Sequence, residues 1–165
     1  MYVSTTRRLD NPRCGSPPEY TPHDPEDPLA DPLPRYFHPL RVRYADTDAQ
    51  GHVYFANYLT YADEGLSGFM RSLDWGSDTT AARGVDFVFA DAQVQYRRRA
   101  YFEDVLHIHI GVARIGRTSL TTRFVVHRPA DDTVLAEGRL VQVCLDMSVG
   151  EKTPLPGDLR ERMGA

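Results

Sequence analysis

Cysteine and lysine are almost missing from this chain of 165 residues, which contains only Cys14, Cys144 and Lys152. Two cysteines, one in a Pro-rich stretch and one in an apolar run, exclude a disulfide framework or a cysteine metal cage and fit a reducing compartment. Arginine carries nearly all of the positive charge, a chain-wide bias that leaves no single arginine informative by its identity alone. Positive charge is not in excess either. Nineteen Lys and Arg stand against 23 Asp and Glu, a formal charge of −4, the opposite of a duplex-DNA binder, so no nucleic-acid partner is expected. No run approaches the ~20 apolar residues of a membrane span, and no apolar stretch follows Arg7 and Arg8 as it would in a secretory signal. A cytoplasmic protein with no membrane partner is expected. A Gly-x-Ser-x-Gly elbow, a P-loop and a dinucleotide fingerprint are all absent, which excludes the α/β-hydrolase route to ester cleavage and the common nucleotide folds.

What is present divides unevenly. Nine of the twelve prolines fall within the first 39 residues, spaced too closely for a helix or a paired strand to run between them. Residues 1–35 are therefore expected to be a disordered, solvated tail, and residues 36–165 one folded domain. That domain opens with a strand in which Leu40, Val42 and Tyr44 alternate with Pro39, Arg41 and Arg43. After the turn-rich residues 45–51, Tyr58, Leu59, Ala62, Leu66, Phe69, Met70 and Leu73 recur at steps of three and four, which predicts the one long helix. Gly65 and Gly68 inside it each cost roughly 1 kcal/mol of helix propensity, and close approach of a sheet explains both. Alternating apolar residues then predict strands over Val85–Tyr96, 104–113, 117–127 and 133–145, with a polar hairpin turn at 129–132 and a bulge near Gly138. Strand, helix, then four strands on short connections imply an α+β fold: a largely antiparallel sheet with a buried helix across its face.

The run from Tyr44 to Tyr58 holds Asp46, Asp48, Gly51, His52 and Asn57 in a loop that feeds the amino end of the helix. First-turn N–H groups are unpaired and the helix dipole is positive there, so a developing oxyanion is stabilised. A carboxylate on the loop then serves as base or nucleophile against a carbonyl compound. The same residue types also serve plainly as turn and cap residues.

The sequence Asp48-Ala49-Gln50-Gly51-His52-Val53 followed by Asn57-Tyr58-Leu59 resembles the signature of hotdog-fold acyl-CoA thioesterases of the 4-hydroxybenzoyl-CoA thioesterase type. Tyr96 to Ala100 with Asp104-Val105-Leu106, the Gly116-Arg117-Thr118-Ser119 hairpin, and Thr153-Pro154-Leu155-Pro156 before a short terminal helix extend the resemblance over residues 37–163 in order. The resemblance implies a long helix wrapped by an antiparallel sheet, a homodimer or homotetramer whose sheets join, active sites between subunits, and acyl-CoA as substrate, with no cofactor beyond the coenzyme A it carries. It places Asp48 at the catalytic carboxylate, the Phe55 backbone N–H at the oxyanion donor, Asn57 and Tyr58 at the pocket floor, and Asp63 at an acidic helix position. His52 is a supporting residue that orients the loop. Arg117, beside Ser119, lies in the hairpin that meets the nucleotide end of the coenzyme. One branch of the family has a His where this chain has Phe55, and a Glu-x-Ala-Arg stretch where it has Asp63-Glu64-Gly65-Leu66, so a mechanism through that second His does not carry over.

A thioester expels its thiolate readily, so one carboxylate and an oxyanion site suffice without a full triad. Asp46 would raise the pKa of Asp48 if both faced the same side. The alternative from another class is a non-catalytic hotdog module that binds acyl-CoA or serves in assembly. Of the remaining features, Arg97-Arg98-Arg99 would offer two convergent arginines on a strand, as readily solvated as bound to phosphate. His107 and His109 share a strand face, but no third ligand is in evident register and no metal is expected. Cys144 is expected to be a buried small residue.

Overall fold

The computed structural model describes residues 32–164. The expected disordered tail falls, for residues 1–31, outside the described residues, as does Cys14. Residues 32–35 run along the sheet: the Pro32 carbonyl accepts from the Arg123 guanidinium at 3.0 Å and the Pro34 carbonyl from His109 at 2.8 Å.

Strand β1 (Tyr36–Arg41) leads through a 3-10 turn (Tyr44–Asp46) and a loop to helix α1 (Asn57–Ser72). A short helix α2 (Ser77–Ala82) follows, then β2 (Val85–Tyr96), β3 (Val105–Ile115), β4 (Ser119–Arg128), β5 (Thr133–Asp146) and a terminal helix α3 (Gly157–Arg162). The strands form one sheet in the order β1-β3-β4-β5-β2, every pair antiparallel. The expected α+β arrangement is therefore present, with α2 as an element the apolar periodicity did not signal. None of its residues is buried, and a helix without an apolar stripe leaves no periodic trace.

α1 lies across one face of the sheet. Its Tyr58, Tyr61, Ala62, Leu66 and Met70 join Leu106, Ile108 and Ile110 of β3 and Phe124 and Val126 of β4 in the core, each large apolar side chain contributing roughly 1.5–3 kcal/mol by leaving water. The two helical glycines mark the closest approach. A Cβ on Gly65 would lie 2.6 Å from Cγ2 of Ile108, and one on Gly68 would lie 2.5 Å from the Tyr36 hydroxyl. The bulge expected near Gly138 sits instead at Leu135, where the pairing of β4 slips between Ala136 and Val134. Gly138 itself pairs in register with Phe124 and Val94. It is needed because a Cβ there would collide with the Gln93 carbonyl and the Phe124 ring.

The other face of the sheet is unusually polar. Glu137, fully buried, receives Arg97 at 3.0 Å and Arg123 at 3.7 Å. Arg97 leads the 97–99 run, which follows the end of β2 rather than forming strand. Its guanidinium is bonded to a buried carboxylate, so Arg97 is not a solvated strand-end residue and does not project from an extended strand. Cys144 is buried as expected, and burial pushes its thiol pKa up. Burial also lowers the pKa of His107 and His109 on this face.

Candidate active site

The loop before α1 is folded back on itself by main-chain bonds. Thr47 bridges Val53, Asp48 N–H donates to the His52 carbonyl, Gly51 N–H to the Asp48 carbonyl, and Tyr54 N–H to the Asp46 carbonyl, the three hydrogen bonds each 2.9 Å. Gly51 takes φ of +78° at the tip, a left-handed conformation that glycine adopts without strain. The Asn57 side chain, at the first position of α1, donates to the Asp46 carbonyl at 2.8 Å and ties the loop to the helix.

Asp48 projects from this hairpin. One carboxylate oxygen accepts the Gln50 N–H at 2.8 Å, and the other lies 3.9 Å from Nδ1 of His52, with the side chain 26% exposed. His52 is held at both ring nitrogens, Nδ1 lying 3.1 Å from the Val53 carbonyl and Nε2 2.9 Å from the Gln50 side chain. Asp46 points the other way. It is 4% exposed and gripped by the Arg43 main-chain N–H at 2.8 Å and guanidinium at 2.8 Å. Burial pushes the Asp46 carboxyl up, but the hydrogen bonds from Arg43 outweigh it and hold the pKa below the usual carboxylate range. Its charge is thus compensated by Arg43. The buried Tyr61 beside it has its pKa raised far above the ordinary phenol, first by burial and then by the Asp46 carboxylate.

Phe55 sits where loop becomes helix. The Tyr54 N–H is used by the Asp46 carbonyl and the Asn57 N–H by the Tyr54 carbonyl, whereas among the described residues the N–H groups of Phe55 and Ala56 meet no acceptor. The Phe55 carbonyl accepts from the Tyr96 hydroxyl at 3.1 Å. Tyr96 is a residue sequence reasoning missed. It lies 41 positions away at the end of β2, and only the folding of β2 over α1 brings them together. Tyr58, 3% exposed, accepts the Ala100 N–H at 3.1 Å and packs edge-on against Tyr96.

The remaining expected residues are elsewhere. Asp63, one turn further along α1, borders a cleft of about 660 Å³ between α1, α2 and the start of β2, with Phe87, Phe89 and Gln142 on its wall. Burial, then Glu64, raises its pKa. Arg117 and Ser119 lie at the opposite end of the sheet. Ser119 pairs with Val143, which pairs with Val88, so the length of β2 from Val88 to Tyr96, roughly 25 Å at the rise of an extended strand, separates that hairpin from Phe55 within one chain. Asp48, His52, Phe55, Asn57 and Tyr58 are therefore gathered, and Arg117 and Ser119 are not.

The chain is similar in sequence to an acyl-CoA thioester hydrolase of Escherichia coli O6:H1, YbgC, at 33% identity over 109 residues, 66% of this chain and 80% of that protein. It is also similar to the long-chain acyl-CoA thioesterase FadM of Escherichia coli K12, at 26% identity over 125 residues, covering 75% and 93% of the two chains. Slr0204 of Synechocystis, a 1,4-dihydroxy-2-naphthoyl-CoA thioesterase, shares the fold with a TM-score of 0.72 over 78% of this chain and 94% of its own at 19% identity. A family model matches residues 42–163, which span the site loop, α1, α2, β2 to β5 and the whole of α3, and with that match the chain belongs to the thioesterase-like superfamily.

Proposed function

We propose that this protein hydrolyses the thioester of an acyl-coenzyme A to the free acid and CoA, with Asp48 as the reacting carboxylate. The observation that carries the reading is a loop carboxylate, Asp48, folded back just ahead of a sixteen-residue helix at whose amino end the Phe55 N–H is left without an acceptor among the described residues. The thioester carbonyl oxygen docks on that N–H, where the helix dipole adds to the stabilisation of the tetrahedral oxyanion. Asp48 either attacks the carbonyl carbon, expelling the thiolate and leaving a mixed anhydride that water cleaves, or takes a proton from the attacking water. His52 positions the carboxylate. Asn57 and Tyr58 shape the pocket floor by holding the loop and the 98–100 segment in place. The acyl group runs along α1 toward the cleft beside Asp63. The chemistry drawn this way uses no cofactor.

Sheet topology supports a site completed by a second copy. β2 is an edge strand twelve residues long, with Val88 and Phe89 exposed, the kind of edge that proteins cover or pair. Antiparallel pairing of two β2 edges about a twofold axis sets the Val88 end of one beside the Tyr96 end of the other. In the resulting homodimer, or a tetramer of such dimers, Arg117 of the partner subunit reaches the coenzyme's phosphates as a bidentate donor, with Ser119 beside it.

The test is thiol release from a panel of short, long, aromatic and hydroxylated acyl-CoAs by the parent and by Asp48→Asn. Turnover by the parent and a loss of about 10²-fold or more in the variant, with unchanged circular dichroism, is expected. Asp48→Asn retaining activity within a few-fold would remove the assignment, and a parent inactive across the panel would favour the binding module instead.

A further inference from the structure

The polar face of the sheet holds a constellation unconnected with thioester chemistry. β3–β4 pairing sets His107 directly opposite His127, supplying the third histidine that strand periodicity alone did not reveal. Nitrogen atoms of His107, His109 and His127 lie within 4.8 Å of one another. His109 and His127 are each only 7% exposed.

The tautomers of the two buried rings follow from their partners. Nδ1 of His109 faces the Pro34 carbonyl at 2.8 Å, which can only accept, so Nδ1 carries the proton and Nε2 a lone pair. Nε2 of His127 faces the Asp132 carboxylate at 2.9 Å, so that nitrogen donates and Nδ1 carries the lone pair. Those two lone-pair atoms, His109 Nε2 and His127 Nδ1, are the ones buried without a hydrogen-bond partner. Two buried acceptors left without a donor are unfavourable, and a cation between them would satisfy both lone pairs at once. A carbonyl or carboxylate on the far nitrogen is also the arrangement that fixes metal-binding histidines. The surroundings serve the same end: Asp132 adopts φ of +53° in the β4–β5 turn beneath His127, and the Phe37 ring stacks on His107 at 4.1 Å.

We propose that His107, His109 and His127 form a binding site for a divalent transition-metal ion of the zinc class, with water in the fourth position on the half-exposed side of His107. Three imidazoles and an open position suit tetrahedral Zn²⁺. Rotation of the imidazole rings would bring the set from within 4.8 Å toward the roughly 3.3 Å nitrogen separation that bonds of about 2.0–2.1 Å impose. The ion would tie β3 to β4 and, through the Pro34 carbonyl on His109, hold residues 32–34 against the sheet. This inference stands whether or not the protein cleaves thioesters.

The test is calorimetric titration of Zn²⁺ into the chelator-treated, untagged full chain, with Co²⁺ as spectroscopic probe. One ion per chain is expected, with a visible ligand-field band for Co²⁺ and a raised melting temperature on adding Zn²⁺. His107→Gln, at the least buried of the three rings, is expected to weaken binding at least tenfold. Asp132→Gly keeps the turn, because glycine accepts positive φ, and is expected to cost about 10- to 100-fold through the lost partner of His127. Absence of saturable one-per-chain binding would overturn the proposal, as would unchanged affinity in both variants.

Discussion

The side-chain amide of Asn57 donates to the main-chain carbonyl of Asp46 across eleven positions of sequence at 2.8 Å, and this bond ties the loop bearing Asp48 to the first residue of α1, two positions after Phe55, whose N–H has no acceptor among the described residues. Replacing Asn57 by Ala leaves that carbonyl with the Tyr54 N–H alone. The expected cost is about 1 kcal/mol of stability and a fall in kcat larger than any change in KM, because the loop loses its register against the oxyanion donor. Urea unfolding and steady-state kinetics of Asn57→Ala measure the two effects separately.

Asp46 makes acid stability depend on Arg43. Its folded pKa lies below the 3.8 of the free side chain because hydrogen bonds from Arg43 outweigh burial. A depressed folded pKa means the stabilisation is present above pH 3.8 and is lost as pH falls through the folded value. Arg43→Ala removes the guanidinium and leaves a buried carboxylate that takes up a proton more readily. The variant is expected to unfold at a higher pH than the parent in an acid titration followed by circular dichroism, with the two curves converging below both pKa values.

Gly65 and Gly68 are exchanged for alanine profitably only in an isolated helix. There each substitution would gain up to about 1 kcal/mol of propensity. Here a Cβ on Gly65 meets Ile108 at 2.6 Å, and overpacking of this kind costs about 1–3 kcal/mol. Gly65→Ala is therefore expected to lower the midpoint of urea unfolding, and a raised midpoint would show that α1 can move off the sheet at little cost.

The β2-edge dimer predicts complementation. A chain carrying Asp48→Asn and a chain carrying Arg117→Ala are each impaired, but a heterodimer of the two contains one site with both native residues if the site is shared across the interface. Mixing the variants after reversible unfolding is expected to raise activity above the mean of the separate proteins. Activity equal to that mean would place Arg117 outside the site of its neighbour.

Much of this was legible beforehand because it follows from local periodicity. Along the strand expected over 117–127, the alternating residues Leu120, Thr122, Phe124 and Val126 are all buried. The steps of three and four from Tyr58 to Leu73 mark the side of α1 that meets the core. The loop from Asp46 to Asn57 was legible as a unit because its turn chemistry and its cap lie within a dozen residues. Tyr96 on the Phe55 carbonyl, Arg97 on Glu137 and His127 opposite His107 were not, since each joins residues that neither helical nor strand spacing relates. The small helix α2 was missed for want of an apolar stripe, and the Leu135 bulge was displaced from Gly138 because a glycine in a strand signals a close contact as often as a bulge.

The order of helix and strands, the face each presents to the core, and the identity of the loop that carries Asp48 were determined by the sequence alone, because side-chain direction repeats every 3.6 residues in a helix and every two in a strand. Which charges neutralise one another, which N–H is left without an acceptor, and that three histidines meet on one face were decided by the tertiary structure, because antiparallel register and the docking of α1 set distances between residues far apart in the chain, and electrostatics and metal ligation depend on those distances.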